Sequence, residues 1–290
     1  MSDLQVFLGE RPRLLALAYR MLGSHSEAED IAQEVWLRWQ ALKWLPDNPQ
    51  AYLTRMLSNL CLDQLRSRRR QNYAGPWVPE PLIEDEASSA PEALHGRWQT
   101  LSLAFLLVLE QLTPSQRVVW VLREVFGYAY DELATLLERS PASCRKLFER
   151  AGQRLEGQTA SPTNASDMQL AQQCLLACLS GDTRTLTRLL AEDVQLHSDG
   201  GGLVLAALRP IFGAEKTLRF FAGLQRKNKA RLGAQFLRCN GAPALVLFDE
   251  GRVQTLLCCE VRDGRVTRLL MQRNPNKLAA LQQWLDQATQ

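Results

Sequence analysis

The sequence predicts a multidomain protein: two all-α helical domains, the second carrying a helix-turn-helix, followed by an α+β domain. Three observations predict it. Apolar residues recur at helical spacing from Leu4 to about Arg70, and again from about Ala93 to Leu155. Two stretches rich in proline or small polar residues, near 73–95 and 157–166, interrupt that pattern. Beyond Asp167, helical periodicity gives way to alternating segments separated by Glu250-Gly251 and Asp263-Gly264 turns. A chain of 290 residues, 46% of them hydrophobic, can fill several cores, which excludes a disordered or fibrous protein.

The first domain occupies 1–72. Leu14, Leu15, Ala18, Met21 and Leu22 mark the inner face of its first helix, and Gly23-Ser24 ends it. A second helix from about Ser26 to Leu42 buries Ala28, Ile31, Val35, Trp39 and Leu42. Lys43 to Pro49 holds two prolines and reads as a loop. A third helix from Ala51 to about Arg70 places Leu53, Leu57, Leu60, Cys61 and Leu65 inside. Residues 73–95 form an inter-domain linker, proline- and aromatic-rich at first and then acidic. The second domain, 96–156, is helical with breaks at Thr113-Pro114 and Gly127, and 157–166 is a second linker. The third domain, 167–290, opens with helices near 167–179 and 182–191 and an apolar segment from Val194 to His197. A Gly-rich turn at 199–202, a helix near 213–225 and strands at 244–248, 253–261 and 266–271 follow.

Charge and cysteine usage narrow the function classes. A net charge of +3 permits nucleic-acid binding without arguing for it; distribution matters more than the sum. The seven cysteines (61, 144, 174, 178, 239, 258 and 259) include no CxxC pair, and there is no secretory signal pattern, so reduced thiols in a cytoplasmic protein are expected. His25, His95 and His197 complete no metal-ligand set, and no metal or cofactor is expected. The longest apolar run, 101–109, is too short to span a bilayer, so no membrane association is expected.

Five clusters are candidates for the chemistry. Between Tyr128 and Arg154 the pattern is a helix-turn-helix: 132–137 supplies the first helix and Glu138-Arg139 the turn. Ser140 is suited to the N-cap of the second helix and Pro141 to its first position. Cys144, Leu147, Phe148, Ala151 and Leu155 share the inner face, leaving Ser143, Arg145, Lys146, Glu149 and Arg150 to meet a major groove. Two features depart from the usual pattern. Glu138 stands where glycine suits a left-handed turn, at a cost of roughly 1 kcal/mol, and Ala129 lacks the hydroxyl half of a capping box.

On the second helix, Asp30, Gln33, Glu34 and Leu37 share a face away from the apolar stripe, which suits either solvent or a basic docking partner. Arg66, Arg68, Arg69 and Arg70 end the third helix in greater number than helix-end stabilisation needs, which suits phosphate contacts. Trp44, Asn48, Tyr52 and Asn59 are near enough to stack on or hydrogen-bond to splayed bases. In the linker, Pro79 and Pro81 favour extended backbone, while Trp77, Val78 and Leu82 favour burial, so this segment is expected to dock. His197 and Asp199 suit either an acid/base pair or, more simply, a strand residue and a turn initiator.

Together these segments resemble the extracytoplasmic-function sigma factors. Residues 28–34 (AEDIAQE) resemble the segment of that family that binds core RNA polymerase. Residues 51–66 (AYLTRMLSNLCLDQLR) resemble its promoter-melting and −10-reading helix. Residues 112–117 (LTPSQR), with the helix-turn-helix after them, resemble its −35-reading domain. Three further segments, GPWVPEPL at 75–82, DGGG at 199–202 and NPNKL at 274–278, are similar to marks of the subgroup with a SnoaL-like, cone-shaped C-terminal extension. Val78 stands there for the usual Leu and Asn276 for the usual Asp.

The resemblance implies core-polymerase binding by Asp30, Gln33, Glu34 and Leu37. It implies −10 contacts from Trp44, Asn48, Tyr52, Asn59, Arg66, Arg68, Arg69 and Arg70, and −35 contacts from Ser140, Pro141, Ser143, Arg145, Lys146, Glu149 and Arg150. The regulatory contacts it implies come from Trp77, Pro79, Glu80, Pro81, Leu82, Asp199, Gly200, Gly201, Gly202, Asn274, Pro275, Lys277 and Leu278. The expected partners are RNA polymerase core enzyme and promoter DNA, with the extension acting in place of a separate anti-sigma factor. Two alternatives remain open at this point: a sensor in which the cone binds an unidentified small-molecule ligand, and a SnoaL-like enzyme tethered to a DNA-binding module.

Overall fold

The computed structural model describes residues 3–68, 73–84, 101–158, 164–227 and 232–288. They form two compact units. The first gathers 3–68, Leu101 and 105–158; the second gathers 73–84, 102–104 and 164–288. Residues 73–84, expected as inter-domain linker, are thus part of the second unit.

In the first unit, helices α1 (Asp3–Leu22), α2 (His25–Gln40) and α3 (Pro49–Arg68) pack around Leu14, Leu17, Met21, Leu22, Val35, Leu53 and Leu57. Gly23, at φ 66, turns the chain out of α1, and the Ser24 hydroxyl accepts from the Glu27 N–H to start α2. Leu42, expected in the buried stripe, is only half-buried because α2 ends at Gln40. The third helix starts two residues earlier than its pattern indicates. Asn48 Oδ1 accepts from the Ala51 N–H, and Pro49 needs no donor in the first turn.

Helices α4 (Leu103–Leu109) and α5 (Pro114–Trp120) are separated at Thr113, which forms a reciprocal capping box with Gln116. A π-helical turn, Val121–Val125, follows α5 and carries the chain to Gly127, at φ 74. Helices α6 (Tyr130–Leu137) and α7 (Pro141–Leu155) are the helix-turn-helix. The expected strain is present: Glu138 adopts φ 53, ψ 49. Only the Glu132 half of a capping box exists, its carboxylate accepting from the Ala129 N–H at 2.6 Å.

The second unit is a seven-stranded sheet in the order β1-β4-β5-β6-β7-β2-β3, with helices against it. The strands are β1 (Ile83–Glu84), β2 (Leu190–Asp199), β3 (Ile211–Phe212), β4 (Gly233–Cys239), β5 (Ala242–Asp249), β6 (Arg252–Arg262) and β7 (Arg265–Gln272). All pairs are antiparallel except β2 with β7. Three two-residue turns, Asn240-Gly241, Glu250-Gly251 and Asp263-Gly264, have positive φ at both positions, the geometry that matches strand twist. Helices α8 (Ala165–Ser180), α9 (Thr183–Leu189) and α10 (Ala214–Lys227) close the concave core around Leu175, Leu186, Val194, Phe221, Leu245, Leu257 and Leu269. A 3₁₀ turn, Pro275–Leu278, leads into α11 (Ala279–Ala288).

Candidate functional site

On α2, Asp30, Gln33 and Leu37 are exposed, Leu37 by 54%, while Ala28, Ile31, Val35 and Trp39 face inward. Glu34 is half-buried and pairs with Arg38 at 2.7 Å, a surface ion pair along one helix. The face extends further than its sequence pattern indicated. Gln33 borders a groove of about 340 Å³ whose other walls include Leu4, Leu8, Arg11, Glu29 and Trp36. Leu4 and Leu8, exposed by about half and spaced i,i+4 on α1, are the signal that would have found it.

On α3, Tyr52 stacks edge-on against Trp44 at 5.8 Å, and Trp44 is 60% exposed. Tyr52 and the exposed Asn59 share a groove of about 380 Å³ with Arg38, Leu42, Arg55 and Met56. Arg55, which the sequence reading omitted, lies between two grooves: a second, of about 460 Å³, is lined by Trp44, Asn48, Tyr52, Arg55, Tyr128 and Glu132.

The arginine run needs correction. Arg66 is exposed and pairs with Asp63 at 3.1 Å. Arg68 is not available as a phosphate contact in this structure: it donates to Leu22 O at 2.8 Å and to Glu27 Oε1 at 3.0 Å, tying the end of α3 to the α1–α2 corner. Arg69 and Arg70 lie outside the described residues. Asn48 is likewise partly committed, its side-chain oxygen capping α3.

The second helix of the helix-turn-helix presents Arg145, Lys146, Glu149 and Arg150 to solvent, with Ser143 half-buried beside them. Cys144, Ala151 and Leu155 are buried beneath; Leu147 and Phe148 are only half-buried. Ser140 Oγ accepts from the Ser143 N–H at 3.2 Å and Pro141 occupies the first turn, so both build the helix start. The Arg145 guanidinium lies 5.1 Å from the centre of the Tyr130 ring, which also receives Arg123 at 4.7 Å.

Within this unit α3 and the helix-turn-helix touch. Arg55 of α3 forms an ion pair with Glu138 of the helix-turn-helix turn. The Tyr128 hydroxyl is 3.2 Å from Thr54 Oγ1, and Arg13 donates to both, at 3.1 and 2.5 Å.

In the second unit the structure brings together the three segments singled out at 75–82, 199–202 and 274–278. Asp199 is the hub. Its carboxylate is fully buried, accepts from the Tyr73 hydroxyl (2.7 Å) and from the N–H groups of Val78 and Gly201 (both 2.9 Å), and pairs with Lys277 at 2.7 Å. The Lys277 ammonium also donates to Val78 O at 2.7 Å and lies 4.2 Å from the Trp77 ring and 5.0 Å from that of Tyr73. Asn274 donates to the Tyr73 hydroxyl and caps the 3₁₀ turn through Asn276 N–H. Asn276 thus enters through its backbone, and Lys277 supplies the ionic contact. Gly201, at φ 61, sits where any Cβ would meet the Asn274 amide at 2.3 Å, so side chains are excluded there.

The rest of the segment is held equally well. Gln272 donates to Val78 O (3.1 Å) and Pro79 O (3.3 Å). Val78, Pro79, Glu80 and Pro81 are buried, and Trp77 and Leu82 partly so. The Leu82 N–H donates to the Asn240 side-chain Oδ1, the Asn240 N–H donates back to Leu82 O, and Ile83 pairs with Cys239 to extend the sheet edge. Gly200 and Gly202 are close-packed against Val204 O and Ala74, and Leu278 is buried after Pro275 opens the 3₁₀ turn. The sequence reading missed Tyr73, Gln272 and Asn240. Each acts through long-range contact, which no local pattern encodes.

This geometry removes the acid/base reading of His197 and Asp199. Asp199 is enclosed by its own partners. His197 lies 3.4 Å from Gln195 Oε1, and burial, aided by Arg268, lowers its pKa to about 4, so it is neutral near pH 7. Among the described residues no cluster of three or more His, Cys, Asp or Glu is arranged to hold a metal, and no helix is long and apolar enough to cross a membrane.

Two family models match the helical part of the chain. Residues 7–71 fit the model of sigma-70 region 2, and residues 102–155 that of sigma-70 region 4. The chain is 34% identical to the ECF RNA polymerase sigma factor SigJ of Mycobacterium tuberculosis, covering 95% of this chain and 93% of SigJ. It is 28% identical to the probable ECF RNA polymerase sigma factor SigI of the same species, covering 93% of each. The crystal structure of M. tuberculosis SigJ superposes with a TM-score of 0.76 at 31% identity, covering 95% of this chain and 98% of that one. With a relative this similar over nearly its whole length, the chain belongs to the extracytoplasmic-function sigma factors, transcription initiation factors rather than enzymes.

Proposed function

We propose that this sigma factor is regulated from within, its C-terminal α+β unit gripping the segment that connects the two promoter-reading domains. One observation carries the reading: the buried Asp199–Lys277 pair holds Val78, and with it residues 73–84, inside the second unit. The length of free chain available to separate region 2 from region 4 then depends on whether that grip holds. Tethering keeps the C-terminal unit at high effective concentration on the segment, so no separate anti-sigma factor is needed. Core polymerase engages Asp30, Gln33, Glu34 and Leu37. Promoter DNA is read by Trp44, Tyr52 and Asn59 at −10, and by Arg145, Lys146, Glu149 and Arg150 at −35. The protein works in the cytoplasm, where polymerase and promoter are.

Transcription from a promoter library, reconstituted with core polymerase, tests this. Residues 1–166 and residues 1–273 are each expected to depart from the intact chain, in different degree. Equal transcription by all three proteins would sink the regulatory role.

The contact between Arg55 and Glu138 leads to a second expectation. The names −10 and −35 place the two elements about 25 base pairs apart, roughly 85 Å at 3.4 Å per pair, whereas their readers here are in direct contact. Both cannot be read until that contact opens. Arg55→Gln is expected to speed open-complex formation about 2–5-fold, in keeping with an exposed ion pair worth at most ~1 kcal/mol. Stopped-flow measurement of promoter melting gives the answer, and a slower variant would point instead to Arg55 as a DNA contact.

A further inference from the structure

On α7, Arg145, Lys146, Glu149 and Arg150 are exposed. Among the described residues only Arg145 of these four rests against an aromatic ring, its guanidinium 5.1 Å from the centre of Tyr130. Tyr130 opens α6, so the contact runs from one helix of the helix-turn-helix to the other. The ring is itself pinned. Phe148 of α7 meets it edge-on at 6.2 Å, and Arg123, which donates to Tyr128 O at 2.8 Å, lies 4.7 Å from its centre. The manner of holding is what sets Arg145 apart. Its guanidinium has no ion pair and no hydrogen bond to a described residue, although Glu149 stands i,i+4 from it. A carboxylate partner would occupy the donors that read a base edge, whereas a ring face attracts the cation and occupies none of them. Side-chain freedom is also given up before DNA arrives, so less is lost on binding. Arg145 lies in the second turn of α7, within the part of a recognition helix that reaches base edges.

We propose that Tyr130 is a positioning residue for −35 recognition, holding the Arg145 guanidinium ready for a guanine edge in the major groove. There the planar fork donates to O6 and N7 together, the pairing that a pre-set guanidinium plane favours. The inference rests on the reading of α7 as the −35 helix and adds to it a specificity-determining residue outside that helix. Tyr130 acts through Arg145 and needs no DNA contact of its own. The ring face is what matters, and the phenol hydroxyl is dispensable.

The test is selection from a promoter library by the full chain with core polymerase, the bound DNA being sequenced at low and high salt. Arg145→Ala is expected to erase a guanine preference at one position of the −35 element. Tyr130→Leu keeps an apolar side chain against Phe148 but removes the ring face. It is expected to weaken that same preference about 2–5-fold, as loss of one exposed cation–π contact implies, leaving the other positions and the salt dependence unchanged. Tyr130→Phe should retain the preference. A trifluorinated phenylalanine at position 130 keeps the shape of the ring and weakens its negative face, so it should fall towards the leucine variant even if that variant folds poorly. With Arg145 already replaced by alanine, Tyr130→Leu should add nothing. If Arg145→Ala alters no position, the reading of α7 fails and the inference falls with it. If Arg145→Ala erases a preference that Tyr130→Leu and the fluorinated ring leave intact, Tyr130 does not position Arg145. Equal weakening at every position would likewise overturn the proposal, as the mark of a packing role alone.

Discussion

Lys277→Met is expected to destabilise the second unit by about 3 kcal/mol, the lower end of what removing one partner of a buried ion pair costs. The side chain of Asp199 is fully buried and that of Lys277 is 11% exposed, so neither charge is screened by water. Without the ammonium, the carboxylate keeps three donors, from Tyr73, Val78 and Gly201, and these hold the loss below the upper end of the range. Asp199→Asn should cost less, and the double variant should be more stable than the sum of the two predicts, since it leaves no lone charge in the core. Denaturant unfolding of the full chain, monitored at the second unit, measures all three. Limited proteolysis adds a local readout. Once Val78 and Trp77 lose Lys277, cleavage within 73–84 should appear at protease levels that leave the wild-type protein intact. A Lys277→Met protein that unfolds like the wild type would show that the hub is held by its hydrogen bonds and not by the pair.

Charge reversal at Asp30 and Glu34 together is expected to reduce core-polymerase binding by at least tenfold and to abolish transcription in proportion. Truncating one partner of a desolvated interfacial charge pair costs 2–5 kcal/mol, and reversal adds repulsion. The fold should not suffer, because both side chains sit on the outward face of α2. The one local penalty is Arg next to Arg38 at i,i+4 in place of the Glu34–Arg38 pair, a few tenths of a kcal/mol. Pull-down with purified core and far-ultraviolet circular dichroism separate the two effects. Leu8→Asp, in the neighbouring groove lined by Leu4 and Trp36, is expected to weaken binding as well. Undiminished binding by the Asp30→Arg, Glu34→Arg variant would place the polymerase contact elsewhere.

Local chemistry made much of this protein legible. The Leu14–Leu22 stripe, the Thr113-Pro114 break, the Ser140-Pro141 helix start and the Glu250-Gly251 and Asp263-Gly264 turns are each set by residues within a few positions of one another. Their spacing or backbone preference is enough to reveal them. Strand β4 was harder to see: Gly233-Ala-Gln-Phe-Leu-Arg-Cys239 has little alternation, and pairing with β5 along its whole length makes it a strand. The sequence alone also singled out GPWVPEPL, DGGG and NPNKL, through their resemblance to a family, and the structure brings the three together.

What only the tertiary structure decided is where the charges of those segments go. Arg68, one of four arginines that looked alike in the sequence, turns inward to Glu27 and Leu22 O because α3 ends beside the α1–α2 corner. Asp199 reads as a turn initiator and is one, accepting from Gly201 N–H. Yet its second oxygen reaches Val78 and Lys277, residues 121 and 78 positions away. Hydrogen-bond and ion-pair partners at such separations are chosen by the packing of the sheet and not by neighbouring residues. That is why a stretch with the composition of a linker proved to be a strand and a buried strap of the C-terminal unit.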